Sequence, residues 1–127
     1  MKGLESLEEG DVIFAAKKFN EVEILFPQSD LAPKSSLMAA YSYYTQDYYE
    51  DTIMELQRFL RIYPRDKNLD YAYYLLAISH YEQIVDEKKD TFSILKAKEY
   101  FEYINLTYPN TEYSIDASFE IDFFLIK

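Results

Sequence analysis

The sequence lacks cysteine and tryptophan altogether, and its 127 residues include only two glycines, four prolines and one histidine. The absence of cysteine excludes disulfides, thiolate zinc sites and cysteine nucleophiles. The single histidine, His80, excludes a metal site with two histidine ligands and is better interpreted as a packing or surface residue. No phosphate-binding loop or nucleophile elbow is present. We therefore expect a protein that is not an enzyme, with no catalytic residues, no cofactor and no metal.

Basic residues are also in short supply. The 13 lysines and arginines face 23 aspartates and glutamates, so the formal net charge is −10 at pH 7. Such a chain repels phosphate backbones, which makes nucleic acid an improbable partner on physical grounds. No run of eighteen apolar residues occurs, so no segment of the sequence is predicted to span a bilayer.

What the sequence does contain is a spacing that recurs three times. A small residue is followed four positions later by a large apolar residue and eight positions after that by a proline: Ala15, Phe19 and Pro27; Thr52, Leu56 and Pro64; Ala97, Phe101 and Pro109. In a helix, the small residue allows close approach of a partner helix, and the apolar residue fills the adjacent groove. The proline ends the helix. The recurrence predicts helix pairs stacked as a solenoid.

The predicted fold is all-α: a tetratricopeptide-repeat-like superhelix of antiparallel helix pairs, a right-handed α solenoid. We expect a single domain over 1–127, with repeats at about 1–27, 28–64, 65–109 and 110–127, the first and last of them truncated. Helices are predicted over about 11–26, 33–45, 49–63, 68–85 and 92–108, followed by one that opens at Thr111 and carries Phe119 and Phe123. The additional length of the third repeat is assigned to the charged stretch 86–90.

The small, aromatic and proline positions resemble those of the tetratricopeptide repeat, and several short segments resemble, in their order, the BamD family of outer-membrane lipoproteins. These segments are Tyr41-Ser-Tyr-Tyr44, Arg58-Phe-Leu-Arg61, Tyr63-Pro64, Asn68-Leu-Asp70-Tyr71, Tyr81-Glu-Gln-Ile84 and Tyr108-Pro-Asn110. The resemblance implies a scaffold and substrate-signal receptor of the β-barrel assembly machinery, on the periplasmic face of the outer membrane. The implied partners are the subunits of that machinery and unfolded outer-membrane proteins. It also implies that the protein meets the membrane only through an acylated cysteine anchor, which is absent from this sequence.

A candidate peptide-binding surface fits that role. Helical spacing places one set of residues on a stripe of each first helix: Leu37, Tyr41 and Tyr44, then Tyr71, Tyr74, Ile78 and Tyr81. Lys34 lies near the start of the first of these helices. An extended strand could lay its side chains between these rings, while Lys34 meets its terminal carboxylate. Against this, each tyrosine on its own is better explained as core between helices, and Lys34 as a solvated lysine. A periplasmic tetratricopeptide adaptor that coordinates cell-envelope or cell-division processes remains the alternative function.

Overall fold

The computed structural model describes residues 12–87, 91–114 and 117. Within them it contains the helices α1 (Val12–Leu25), α2 (Leu31–Thr45), α3 (Tyr49–Ile62), α4 (Leu69–Glu87) and α5 (Thr91–Thr107), and no strand. The prediction of an all-α fold built from packed helix pairs is thereby confirmed. None of these helices combines the length and the apolar character that crossing a bilayer requires.

Each helix begins and ends within about two residues of its predicted bounds. α2 begins at Leu31, two residues earlier than predicted, and α4 continues to Glu87. Asp86 and Glu87 are therefore helical, and assigning them to a loop was wrong. The remainder of the charged stretch and the predicted positions of Phe119 and Phe123 lie outside the described residues.

Each recurring proline follows the end of its helix by two residues. α1, α3 and α5 end at Leu25, Ile62 and Thr107, and the prolines stand at 27, 64 and 109. The residue before a proline is biased away from helical geometry, which explains the position of the break. Its own amide still bonds one turn back, in the same way each time: Phe26 N to Val22 O at 3.0 Å, Tyr63 N to Phe59 O at 2.8 Å and Tyr108 N to Ile104 O at 2.8 Å.

The chain divides into two compact units, unit 1 over 1–66 and unit 2 over 67–127. In unit 1, α1 packs on α2 and α2 on α3. Because the connecting turns are short, consecutive helices run antiparallel. The small positions Ala15 and Thr52 have no exposed surface, and Phe19 is only 6% exposed, as their spacing predicts. The division into four repeats stays a prediction.

The turn between α2 and α3 is built around a non-glycine residue with a left-handed backbone. Asp47 has φ 64°, a conformation that aspartate and asparagine tolerate better than most residues. Its amide donates to Tyr44 O at 3.1 Å, and its carboxylate accepts a hydrogen bond from the Tyr49 hydroxyl at 2.8 Å. These contacts stabilise the turn between the helices predicted over 33–45 and 49–63.

Unit 2 packs α4 against α5 around a fully buried cluster. Its members each show no exposed surface, and they are Ala77, Ala97, Phe101, Ile104 and Ala117. Three are alanines, so the helices approach closely, and Phe101 is the largest of the five side chains. Residues 112–114 and 117, which follow α5, are helical as predicted from Thr111 onward.

Candidate functional site

The first half of the predicted binding stripe lies on one face of α2, in unit 1. Lys34 is exposed, and Tyr41 retains 39% of its surface. Tyr44 is half-buried, its ring centroid 5.8 Å from that of Tyr49 in an edge-on arrangement. Leu37 is only 6% exposed, so it belongs to the core of the unit. The accessible groups of this half are therefore an ammonium group and two tyrosine rings.

The second half lies on α4, in unit 2, against the residues that follow α5. Tyr71 and Tyr74 both contact the ring of Tyr113, at centroid distances of 5.8 and 5.1 Å. Ile78 and Tyr81 pack against the buried cluster of the unit. This half packs the unit, and each of its four residues still keeps part of its surface exposed.

The two halves occupy the same positions of the repeat. Pro27 and Pro64 are 37 residues apart, and the same offset relates the four members on α2 to those on α4: Lys34 to Tyr71, Leu37 to Tyr74, Tyr41 to Ile78 and Tyr44 to Tyr81. Each set is gathered on its own helix. That the eight residues bind one peptide stays a prediction.

A polar network that sequence reasoning missed joins the three helices of unit 1. Arg58 on α3 donates to both carboxylate oxygens of Glu23 on α1, at 2.7 and 3.3 Å. It also donates to Glu55 one turn earlier and to Ser36 on α2, the latter at 3.2 Å. Ser36 donates to Glu55 at 2.9 Å, and the Tyr63 hydroxyl donates to Glu23. A guanidinium is suited to this role, because its planar fork can bind two carboxylates at once.

The network leaves one trace in the sequence. Glu23 follows Phe19 by one helical turn, on the buried face of α1, and is only 9% exposed. A carboxylate at such a position requires a partner. The partners, however, are Arg58 and Tyr63, which lie 35 and 40 residues further along the chain. No local pattern connects them, because the contact is made only after two helix pairs have packed.

The network fixes the protonation of Arg58 and Tyr63 at neutral pH. Burial alone would lower the pKa of Arg58, but the hydrogen bonds to Glu23 and Glu55 outweigh it, and the pKa lies above its usual range. Burial, followed by the hydrogen bond to Glu23, raises the pKa of Tyr63 to about 12. Near pH 7 the cation therefore stays charged and the phenol stays protonated, and both groups hold the helices together.

His80 on α4 is buried, with 6% of its surface exposed. Its ring stacks on Tyr100 at a centroid distance of 5.8 Å and an interplanar angle of 17°. Burial, and then the charge of Lys96, lower the pKa of His80. Among the described residues its Nδ1 has no hydrogen-bond partner, and no three histidine, aspartate or glutamate side chains there are grouped to hold a metal ion. The ring contributes to packing in unit 2.

One protein family agrees with these paired helices, with the spacing of the prolines that follow them, and with the order of the short segments quoted above. Residues 1–125 match the YfiO family, described as outer membrane lipoprotein. The chain belongs to this family. The resemblance stated from the short segments is thereby confirmed.

Three relatives of the outer membrane lipoprotein family share the name outer membrane protein assembly factor BamD. The protein from Caulobacter vibrioides is 37% identical over 120 residues, that from Rickettsia prowazekii 35% over 108, and that from Neisseria gonorrhoeae 29% over 124. The alignments cover 94%, 85% and 90% of this chain but 39%, 43% and 46% of the relatives. The chain thus spans less than half the length of these relatives.

Proposed function

We propose that this chain forms part of an outer-membrane protein assembly factor and receives unfolded outer-membrane proteins as a non-enzymatic scaffold of the β-barrel assembly machinery. The observation that carries the proposal is the 37% identity, over 94% of the chain, to a relative named as such a factor. The place of action is the periplasmic face of the outer membrane, and the partners are the other subunits of the machinery and its substrates. In the complete protein, a lipid anchor would hold it there.

The candidate receptor surfaces are the stripe on α2 in unit 1 and the stripe on α4 in unit 2, each taken by itself. Tyrosine offers an apolar ring to the side chains of an extended peptide and a hydroxyl to its main chain, which suits recognition of a strand rich in aromatics. Tyr41 and Tyr44 are accessible on α2, and Tyr71 and Tyr81 keep partly exposed rings on α4. Lys34, in the first turn of α2, would bind the terminal carboxylate of a targeting signal. Such binding is non-covalent and reversible.

The shared name of the relatives favours this function over a periplasmic adaptor for cell-envelope or cell-division processes. Both functions use a tetratricopeptide scaffold, so the fold alone does not separate them. The separation rests on the ligand: an assembly factor binds a targeting signal, and an adaptor does not.

The direct test is fluorescence polarisation with a labelled peptide that ends in an outer-membrane targeting signal. Tyr41→Ala is expected to weaken binding about tenfold, the loss typical of a half-exposed aromatic contact. Tyr48→Ala is the matched control, because Tyr48 is 42% exposed against 39% for Tyr41 but lies outside both stripes. Equal affinity for a scrambled peptide would eliminate the receptor role, and equal effects of the two variants would move the site away from α2.

The carboxylate contact has its own test in a double-mutant cycle. Amidating the C-terminus of the peptide is expected to weaken binding to the wild type about threefold, and to leave binding to Lys34→Gln unchanged, since an exposed ion pair contributes modestly. The same loss on amidation in both proteins would show that Lys34 does not bind the carboxylate.

A further inference from the structure

The two ends of unit 1 differ in what they expose. Since consecutive helices run antiparallel, α1 and α3 finish at the end where α2 begins. The contacts of Glu23 near the end of α1 with Arg58 and Tyr63 near the end of α3 place these termini side by side. We call this region, formed by residues 24–34 and 61–66, the turn end.

The turn end carries an exposed apolar patch. Five large side chains there keep about half or more of their surface in solvent: Ile24 at 74%, Leu25 at 69%, Phe26 at 53%, Leu31 at 49% and Ile62 at 48%. Three of them are consecutive in the sequence, at the point where α1 ends. Isolated exposed apolar residues are normal, but a group at one end of a unit marks a surface that contacts something.

The charges at the turn end run against those of the chain. Its charged residues are Lys34, Arg61 and Arg65, which are basic, and Asp30 and Asp66, which are acidic. At the opposite end of the unit, residues 41–51 contain Asp47, Glu50 and Asp51 and no basic residue. Three basic and two acidic residues give the turn end a formal charge of +1, in a chain of formal net charge −10.

We propose that the turn end of unit 1 is a membrane-contact surface for a bilayer that contains anionic phospholipid. Ile24, Leu25 and Phe26 enter the interfacial region, and Arg61 and Arg65 bind headgroup phosphates. Apolar insertion beside basic side chains is how interfacial segments bind such surfaces. An acidic chain is repelled by an anionic bilayer in other orientations, so the basic end also orients the unit. A second copy of the chain fits less well, because an end-to-end pair would oppose the same arginines.

Tryptophan fluorescence tests the insertion directly, because the chain contains no tryptophan. In Phe26→Trp, vesicles of phosphatidylglycerol and phosphatidylcholine are expected to shift the emission to the blue, and lipids brominated on their acyl chains to quench it. Phe92→Trp is the matched control in unit 2, since Phe92 is 61% exposed against 53% for Phe26. No shift in Phe26→Trp, or equal quenching in both proteins, would overturn the proposal.

Vesicle co-sedimentation tests the charge. Arg61→Gln and Arg65→Gln are each expected to weaken binding to the anionic vesicles about fivefold, whereas Lys17→Gln, at an exposed position on α1, leaves it unchanged. Wild-type binding that is equal on pure phosphatidylcholine vesicles would contradict the basic contact. Sedimentation velocity on the protein without vesicles tests whether a second copy of the chain binds the patch instead. A dimer that Leu25→Ser abolishes would assign the patch to a second copy and overturn the proposal. None of these outcomes bears on peptide binding by the stripes.

Discussion

Three equivalent positions of the repeat contact one another in both units, but their side chains are polar or charged in unit 1 and aromatic in unit 2. One position lies nine residues after a recurring proline, and the other two lie nine and six residues before the next proline. The three residues are Ser36, Glu55 and Arg58 in unit 1 and Tyr73, Tyr100 and Tyr103 in unit 2. In unit 1, Arg58 donates to Ser36 at 3.2 Å. In unit 2 the ring centroids of the equivalent residues Tyr73 and Tyr103 lie 4.6 Å apart, and those of Tyr73 and Tyr100 lie 6.2 Å apart. The repeat spacing determines which positions are in contact, but it does not determine whether the contact is ionic or aromatic.

The ionic network of unit 1 and the aromatic cluster of unit 2 should respond differently to the loss of one side chain. An ionic network depends on every member, because removing one leaves a buried group without its partner. An aromatic cluster loses contact area in proportion to what is removed, and its neighbours can adjust. Unit 1 should therefore be sensitive to single changes at the shared positions, and unit 2 tolerant of them.

The largest expected effect is that of Arg58→Ala set against Tyr103→Ala at the equivalent position. Arg58→Ala leaves Glu23 and Glu55 without their cation, and because the arginine side chain is 30% exposed we expect a loss of about 2–3 kcal/mol, below the full buried-pair value. Tyr103→Ala removes a ring that is 40% exposed and should cost about 1 kcal/mol. Urea unfolding measures both. Equal losses would mean that the two clusters respond alike and would break the comparison.

A smaller effect is expected from Arg58→Lys. Lysine keeps the charge, but its ammonium group lacks the planar fork that binds Glu23 through two nitrogens while also reaching Glu55 and Ser36. We expect a loss of about 1 kcal/mol by urea unfolding. Arg61→Lys, on the exposed surface one turn later, is the control and should leave stability unchanged. Full stability of Arg58→Lys would show that charge alone suffices.

Most of the fold follows from sequence patterns with a local cause. The prolines at 27, 64 and 109 each predict a helix end to within two residues, because proline acts on its own turn of the chain. The small position Ala97 and its apolar neighbour Phe101 predict burial, which the structure confirms at no exposed surface for either. The continuation of α4 through Glu87 was missed, because Asp86 and Glu87 are charged and extend no apolar pattern that would indicate a helix.

The candidate site was less predictable than the fold. Helical spacing gathers Leu37, Tyr41 and Tyr44 on one face, but it does not reveal that Leu37 is buried while Tyr41 is exposed. That distinction depends on which neighbour covers each side chain. The Arg58 network lies further beyond a single sequence, since each of its contacts with α1 joins residues at least 35 positions apart.

Alkaline titration compares the two units through one tyrosine in each. Burial and then the hydrogen bond to Glu23 raise the pKa of Tyr63 to about 12, and burial and then Tyr103 raise that of Tyr73 to about 12. Both phenols are therefore kept neutral by folding, and their stabilisation is complete below the ordinary tyrosine pKa of about 10 and is lost as the pH rises toward 12.

Glu23→Gln separates the two causes. Without the carboxylate, the pKa of Tyr63 should fall while that of Tyr73 stays raised, as followed by phenolate absorbance in Tyr73→Phe and Tyr63→Phe backgrounds. The result that contradicts the assignment is a Tyr63 pKa that is insensitive to Glu23→Gln, or a Tyr73 pKa that falls with it.

The smallest expected effect concerns His80, which stands 37 residues after Tyr43 and so at its equivalent position. Burial favours the neutral form of both: it raises the pKa of Tyr43, with help from Asp51 and Glu55, and lowers that of His80, with help from Lys96. Because the folded state binds the His80 proton less readily than the unfolded state, unit 2 should lose stability as the pH falls below about 6.5. Unit 1 contains no histidine and should not respond in this interval. Hydrogen exchange of α4 and α2 amides measures the two separately, and His80→Phe, which retains a ring against Tyr100, should abolish the response of α4. An equal loss of protection in α4 of His80→Phe would mean that another group titrates, and the contrast between the units would then no longer rest on this ring.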